Sequence, residues 1–175
     1  MSRSAIGINV TDVDTTAQLP LGFIYIQPAQ SVGTRANEGE KVWIYVFNDE
    51  ASTAFAQGTV VIRDAATETS DGIVATTSAP ANRVLGVAQH AIPAGSYGFI
   101  LRRGVGEVLA GTETIDANEG VYVSATDAGT GMEAGAAVTA AASAITEAHL
   151  AGPFATALDD AAKDALATCV IDCRG

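Results

Sequence analysis

Acid–base or nucleophilic catalysis in this chain would have to begin with His90 and His149, its only histidines. His90, within Ala88-Gln89-His90-Ala91-Ile92, reads as the end of a hairpin, and His149 lies beside Leu150 and Gly152. Both read as structural or surface histidines and not as general bases. A serine nucleophile on a strand-to-helix turn requires Gly-x-Ser-x-Gly, and Ser96 in Gly95-Ser96-Tyr97-Gly98 lacks that spacing. Gly129-Thr130-Gly131-Met132-Glu133-Ala134 fits the glycine pattern of a dinucleotide-binding turn. Such a turn works only where a helix opens behind it inside a βαβ unit, and too little chain follows to build the rest of that domain. The pairs Asp12 with Asp14, Asp49 with Glu50 and Asp159 with Asp160 offer hard oxygen ligands, but none has the spacing of a calcium loop. Cys169 and Cys173 on one strand would have Cα atoms about 13 Å apart, beyond disulfide reach, and read as small buried apolar side chains. The residue types therefore predict no enzyme, no metal site and no cofactor.

The side chains that stand out instead are aromatic. Lys41-Val42-Trp43-Ile44-Tyr45-Val46-Phe47-Asn48 is the strongest strand signal of the chain. Alternation sends Val42, Ile44 and Val46 to one face and Trp43, Tyr45 and Phe47 to the other. Beside Phe23 and Tyr25 of a preceding strand, the aromatic stripe has three uses: a core under a loop or second sheet, a subunit interface, or a platform for a sugar. Trp43, Tyr45 and Phe47 are accordingly candidate oligomer-interface residues.

The chain that must position these residues is 175 residues long, 17.7 kDa, enough for one domain with a sizeable core. Nine Lys and Arg against twenty Asp and Glu leave a net charge of -11, which repels polyanions and argues against a nucleic-acid partner. Charged residues are only 17% and apolar ones 48%, with 6% aromatic, so small side chains fill the protein and disorder is disfavoured. No apolar run reaches the roughly 18 residues of a membrane span, and Met1 to Val10 lacks the apolar core of a secretory signal. No membrane partner is expected.

Residues 1–20 are rich in Ser, Thr and Asp and sustain no helical or strand period, which predicts an extended N-terminal arm ahead of a single β-rich domain over 21–175. Strands are predicted at Gly22 to Gln27, Lys41 to Asn48, Gly58 to Arg63, Arg83 to Val87, Tyr97 to Leu101, Gly106 to Leu109 and Gly120 to Ser124. Turn signals stand at Asp71-Gly72, Pro93-Ala94-Gly95, Arg103-Gly104 and Asn118-Glu119-Gly120. That spacing predicts an all-β, mainly antiparallel barrel or sandwich. The alanine-rich stretch 125–167 leaves strand and helix open, with a short helix over Asp159 to Leu166 competing with a polar connection before a closing strand at Ala167 to Cys173. Ala36-Asn37-Glu38-Gly39 and Ala117-Asn118-Glu119-Gly120 repeat four residue types, each ahead of a strand, which is consistent with a β meander.

Two stretches resemble a known family. Gly39-Glu40-Lys41-Val42-Trp43-Ile44-Tyr45-Val46-Phe47-Asn48 runs on to Ala56-Gln57-Gly58-Thr59-Val60-Val61. More specific is Val84-Leu85-Gly86-Val87-Ala88-Gln89 running on to Ala94-Gly95-Ser96-Tyr97-Gly98-Phe99-Ile100-Leu101-Arg102-Arg103-Gly104. These stretches are similar to small β-rich capsid decoration, or cement, proteins of tailed bacteriophages, over about Pro20 to Ala110. The resemblance implies a non-enzymatic virion protein on the capsid exterior, made in the host cytoplasm, commonly a homotrimer, that clamps the capsomers of the major capsid protein. The alternative from the same setting is a fibre or receptor-binding module whose aromatic face contacts a surface glycan.

In the arm, Ile6, Ile8, Val10 and Val13 are candidate partner-binding residues, because Ile6, Ile8 and Val10 alternate and would share one face of an extended strand. An arm that adds a strand to a capsid-protein edge, one that pairs with a sister subunit and a leader without fixed structure all remain open.

Overall fold

The computed structural model describes residues 7–29, 38–64, 70–76, 79, 81–112, 114–124, 127–133 and 152–173. Ile6, His149, Gly33, Ala36, Asn37 and the alanine-rich residues 134–151 lie outside the described residues. The strands are β1 (Val13–Asp14), β2 (Ile24–Gln27), β3 (Lys41–Asn48), β4 (Val60–Arg63), β5 (Asp71–Val74) and β6 (Val84–Val87). They continue with β7 (Tyr97–Leu109), β8 (Gly120–Val123), β9 (Gly131–Glu133), β10 (Ala155–Ala157) and β11 (Leu166–Asp172). Among the described residues the only helical element is a 3-10 turn at Ala81–Arg83, so the expected all-β class holds.

Strands β3, β5, β4, β6 and β7 pair in that order, and β7 returns to β3, closing a five-stranded barrel. Closure is how an antiparallel sheet removes its free edges. Among the described residues of this barrel the one parallel contact is β3 with β5, at Phe47↔Asp71 and Asn48↔Gly72. Of the predicted apolar ridge, Ile44 and Val46 face the interior, where they pack with Phe55, Val61, Leu85, Ile92 and Ile100. Val42, at a register shift where β3 meets β7, is half-buried. Asp71-Gly72, a turn by its sequence, lies inside β5: a Cβ on Gly72 would come 2.7 Å from Val61 Cγ1, so glycine here admits a neighbouring strand and does not make a turn.

Arg103-Gly104 corrects the turn assignment in the same way. The two strands predicted on either side of it are one 13-residue strand, β7, with Gly104 at φ +120° inside it. Beyond Gly104, β7 pairs with β11, which pairs with β10, then β8, then β9, and a parallel bridge Ala110↔Gly131 brings the path back to the end of β7. That is the first barrel's topology over again. Away from the register shifts at Val42/Trp43 and Val61/Ile62, the registers match. Ile44↔Ile100 becomes Gly106↔Cys169, and Val87↔Leu101 becomes Thr156↔Val170. Val61↔Gly86 becomes Val121↔Ala155, and Arg63↔Gly72 becomes Val123↔Gly131. Even the bridge between the two connecting turns recurs, Phe55↔Ile92 in the first barrel and Ile115↔Ala161 in the second.

The chain is thus a tandem of two equivalent barrels, in which the last strand of the first continues as the first strand of the second. Side-chain volume is redistributed between them: Ile44, Leu85, Ile92 and Gly98 of the first correspond to Gly106, Phe154, Ala161 and Ala167 of the second. Where one position loses volume another gains it, as close packing demands. The short sequence echo joins positions that are not equivalent. Glu38-Gly39 precedes β3, whereas Glu119-Gly120 leads into β8, the counterpart of β4. No helix forms over Asp159 to Leu166, because the Asp159 carboxylate accepts from Thr168 N at 2.7 Å and Thr168 Oγ1 at 2.8 Å and fixes a turn into β11.

Candidate functional site

The aromatic stripe of β3 lies on the outer face of the first barrel, where the chain covers it itself. Trp43 and Tyr45 are buried and Phe47 half-buried. Tyr45 packs on Phe99 with ring centroids 5.1 Å apart and stacks on Tyr97 at 6.1 Å, while Tyr25 meets Phe99 edge-on at 6.4 Å. Trp43 Nε1 donates to Gln27 Oε1 at 3.0 Å at the end of β2. The indole N–H therefore finds a partner, which a buried Trp requires.

The described part of the arm, residues 7–20, lies across this face. β1 pairs with the start of β7 at Val13↔Gly98 and Asp14↔Tyr97. The Tyr45 hydroxyl donates to Asp14 Oδ2 at 2.7 Å and accepts from Gln18 N at 3.3 Å. Burial and the bond to Asp14 push the Tyr45 phenol up to about 12. Of the candidate partner-binding residues, Ile8 and Val10 are partly buried against the chain's own core, and Val13 is exposed. The structure thus brings Ile8 and Val10 of the arm against the core that holds Trp43 and Tyr45.

The equivalent face of the second barrel has a different character. By the repeated register, Tyr97, Phe99 and Leu101 correspond to Leu166, Thr168 and Val170 on β11. Leu166 is 38% exposed, Val170 42% and the neighbouring Leu158 50%. Alternation along β10 and β11 turns these side chains outward together. A second apolar patch lies on β2, which ends the strand path, with Ile24 40% and Ile26 53% exposed. Sequence reasoning missed both patches, because Leu158, Leu166 and Val170 look like ordinary core residues until the repeat shows which face they share.

The remaining candidates have structural surroundings. Ser96 is buried and its carbonyl accepts from Asn48 N at 2.9 Å. Glu50 Oε1 accepts from Val74 N at 2.9 Å and Asp160 Oδ1 from Ala117 N at 2.8 Å. Burial lowers the His90 imidazole below its ordinary value, with Asp12 opposing the shift, and neither ring nitrogen has a hydrogen-bond partner among the described residues. Cys169 and Cys173 are free and buried; burial pushes the Cys169 thiol up to about 12 and raises Cys173 further. Gly131 belongs to β9, so the glycine run of 129–131 leads into a strand and not into the helix a phosphate-binding turn needs. Among the described residues no group of three or more His, Cys, Asp or Glu is placed to hold a metal ion.

No family model matches the chain, and no curated protein matches it. A solved structure, the head fibre gp8.5 N base in bacteriophage phi29, is similar at 13% sequence identity over 75% of this chain and 94% of that one, with a TM-score of 0.49.

Proposed function

We propose that the protein is a structural component of a tailed-phage virion that binds the outer surface of the capsid, bridges neighbouring capsomers and catalyses no reaction. The observation that carries this reading is the contrast between equivalent faces of the two barrels. The first is covered by the chain's own arm, whereas the second presents Leu158, Leu166 and Val170 to solvent. An apolar face whose counterpart is covered suits a docking partner. The resemblance of Val84 to Gly104 to decoration proteins proposes the major capsid protein as that partner and a homotrimer as the assembled form. The patch at Ile24 and Ile26 supplies a second contact on the other barrel. The shared strand β7, about 40 Å long at ordinary strand rise, holds the barrels that carry the two patches in a fixed relation. Two contacts per copy and many copies per shell stabilise an assembly by avidity even where each contact is weak.

Copy number in purified particles and heat release of capsid contents test this reading. Hundreds of copies, and loss of capsid stabilisation in both L158D/V170D and I24D/I26D with the isolated protein's melting midpoint unchanged, are expected. Absence from particles would overturn it. A second reading, a fibre or receptor-binding module contacting a glycan, is favoured by a polar cleft where the barrels meet, lined by Gln27, Gln57, Gln89 and Glu107 among others, and calls for only a handful of copies.

A further inference from the structure

Where the two barrels meet, β2, β3, the middle of β7, β11 and the arm enclose a cleft of about 350 Å³. That lies at the small end of ligand-sized sites. We propose that this cleft binds a neutral saccharide. The inference does not depend on the virion reading, since the cleft belongs to the isolated chain.

The walls are held in place by bonds that leave ligand-facing capacity. The Gln89 side chain behaves as a piece of added strand: its Nε2 donates to Glu107 O at 2.9 Å and its Oε1 accepts from Glu107 N at 2.9 Å. Gly106 makes this possible, because a Cβ there would come 3.0 Å from Gln89 Oε1. Trp43 Nε1 uses Gln27 Oε1 as its acceptor, which orients that amide and leaves its two N–H protons uncommitted among the described residues. Gln57 Nε2 donates to Glu107 Oε2, which orients the carboxylate and leaves Glu107 Oε1 and Gln57 Oε1 as acceptors. Oriented donors beside oriented acceptors fit hydroxyl groups, each of which gives one hydrogen bond and accepts others. Trp43, itself buried, borders the cleft through the edge of its indole and so senses what enters it.

Charge selects within that class. Lys41 Nζ pairs with Glu38 Oε2 at 2.6 Å, so those two charges cancel and Glu107 leaves the cleft net negative. A chain of net charge -11 adds to the repulsion of anions. Uronic and sialic acids are therefore disfavoured against neutral hexoses and their disaccharides.

Trp43 is the chain's single tryptophan, so its emission reports on this cleft alone. The full-length protein is titrated with glucose, galactose, N-acetylglucosamine, maltose and lactose, and with glucuronate and N-acetylneuraminate. Isothermal calorimetry repeats each titration. The expected result is a saturable change in Trp43 emission and matching heat for at least one neutral sugar, with the acidic sugars at least tenfold weaker. Gln57→Ala, at an exposed turn, and Gln27→Glu, which keeps an acceptor for Trp43 Nε1 but removes the two N–H donors, should each weaken that binding about tenfold at an unchanged melting midpoint. No saturable signal from any neutral sugar, tighter binding of an acidic one, or undiminished binding by both variants would each overturn the proposal.

Discussion

Gly98 and Ile92 face each other inside the first barrel, and their counterparts in the second are Ala167 and Ala161. A Cβ added at Gly98 would stand 2.8 Å from Ile92 Cδ1, 3.1 Å from Cγ1 and 3.5 Å from Cγ2. Carbon atoms in contact prefer about 3.5 to 4.0 Å. Ile92 is fully buried in a closed barrel and has little room to retreat. Gly98→Ala in the parent should therefore cost about 1 to 3 kcal/mol in overpacking, more than the roughly 0.5 to 1 kcal/mol that alanine gains over glycine within a strand. Ile92→Ala removes both clashing atoms, Cδ1 and Cγ1, and costs about 2 to 5 kcal/mol through the cavity it leaves. In that background Gly98→Ala meets open space and should stabilise by about 0.5 to 1 kcal/mol. The same substitution thus changes sign, with a coupling energy of about 1 to 3 kcal/mol. Urea unfolding of the parent, both single variants and the double variant measures it, with equal m-values as the check on two-state behaviour. If Gly98→Ala shifts stability equally, within about 0.5 kcal/mol, in both backgrounds, the volume exchange between the barrels is wrong.

Ile44→Asp places a carboxylate inside the first barrel without a partner and should cost several kcal/mol; a melt within a degree or two of the parent would contradict that placement. Removing residues 167–175 takes away most of β11, which pairs with both β7 and β10, so the product should be insoluble or show no cooperative transition by circular dichroism. Both buried cysteines should resist Ellman's reagent at pH 8 in the native state and react at once in denaturant. The Tyr45 phenol lies at about 12 in the fold and near 10 in the unfolded chain, so its contribution is complete below pH 10 and is lost as pH rises through 12. Denaturation at fixed pH values across that window should show stability falling, with a shallower fall in Tyr45→Phe.

Alternation in Lys41 to Asn48 was enough to separate Ile44 and Val46, inside the barrel, from Trp43 and Tyr45, outside it. The strands Val60–Arg63, Val84–Val87, Gly120–Val123 and Leu166–Asp172 were likewise legible from β-branched runs bounded by small residues. Glycine misled where it served packing: Gly72 and Gly104 read as turns because a sequence cannot show the neighbouring chain that leaves no room for a Cβ. The tandem stayed hidden because its equivalent positions hold different side chains, Ile92 against Ala161 and Leu85 against Phe154, while the backbone register alone is shared. The cleft left no signal either. Gln27, Gln57, Gln89 and Glu107 are far apart in the chain, and only the meeting of the two barrels gathers them.

The strand common to both barrels also orders events during synthesis. By the time Leu101 has left the ribosome, every strand of the first barrel is available, and a domain emerging first tends to fold first. Its last strand then projects onward as an unpaired edge from Val105 to Leu109, a ready template for whatever strand arrives next. The partner it awaits, β11, comes after β8, β9 and β10 in the chain. Glu107 places charge on the waiting edge, with Arg102 and Arg103 just ahead of it, and charge on an edge is how natural sheets discourage pairing with a stranger. A pause in translation between the barrels should therefore prolong the one interval in which this protein is most exposed to aggregation.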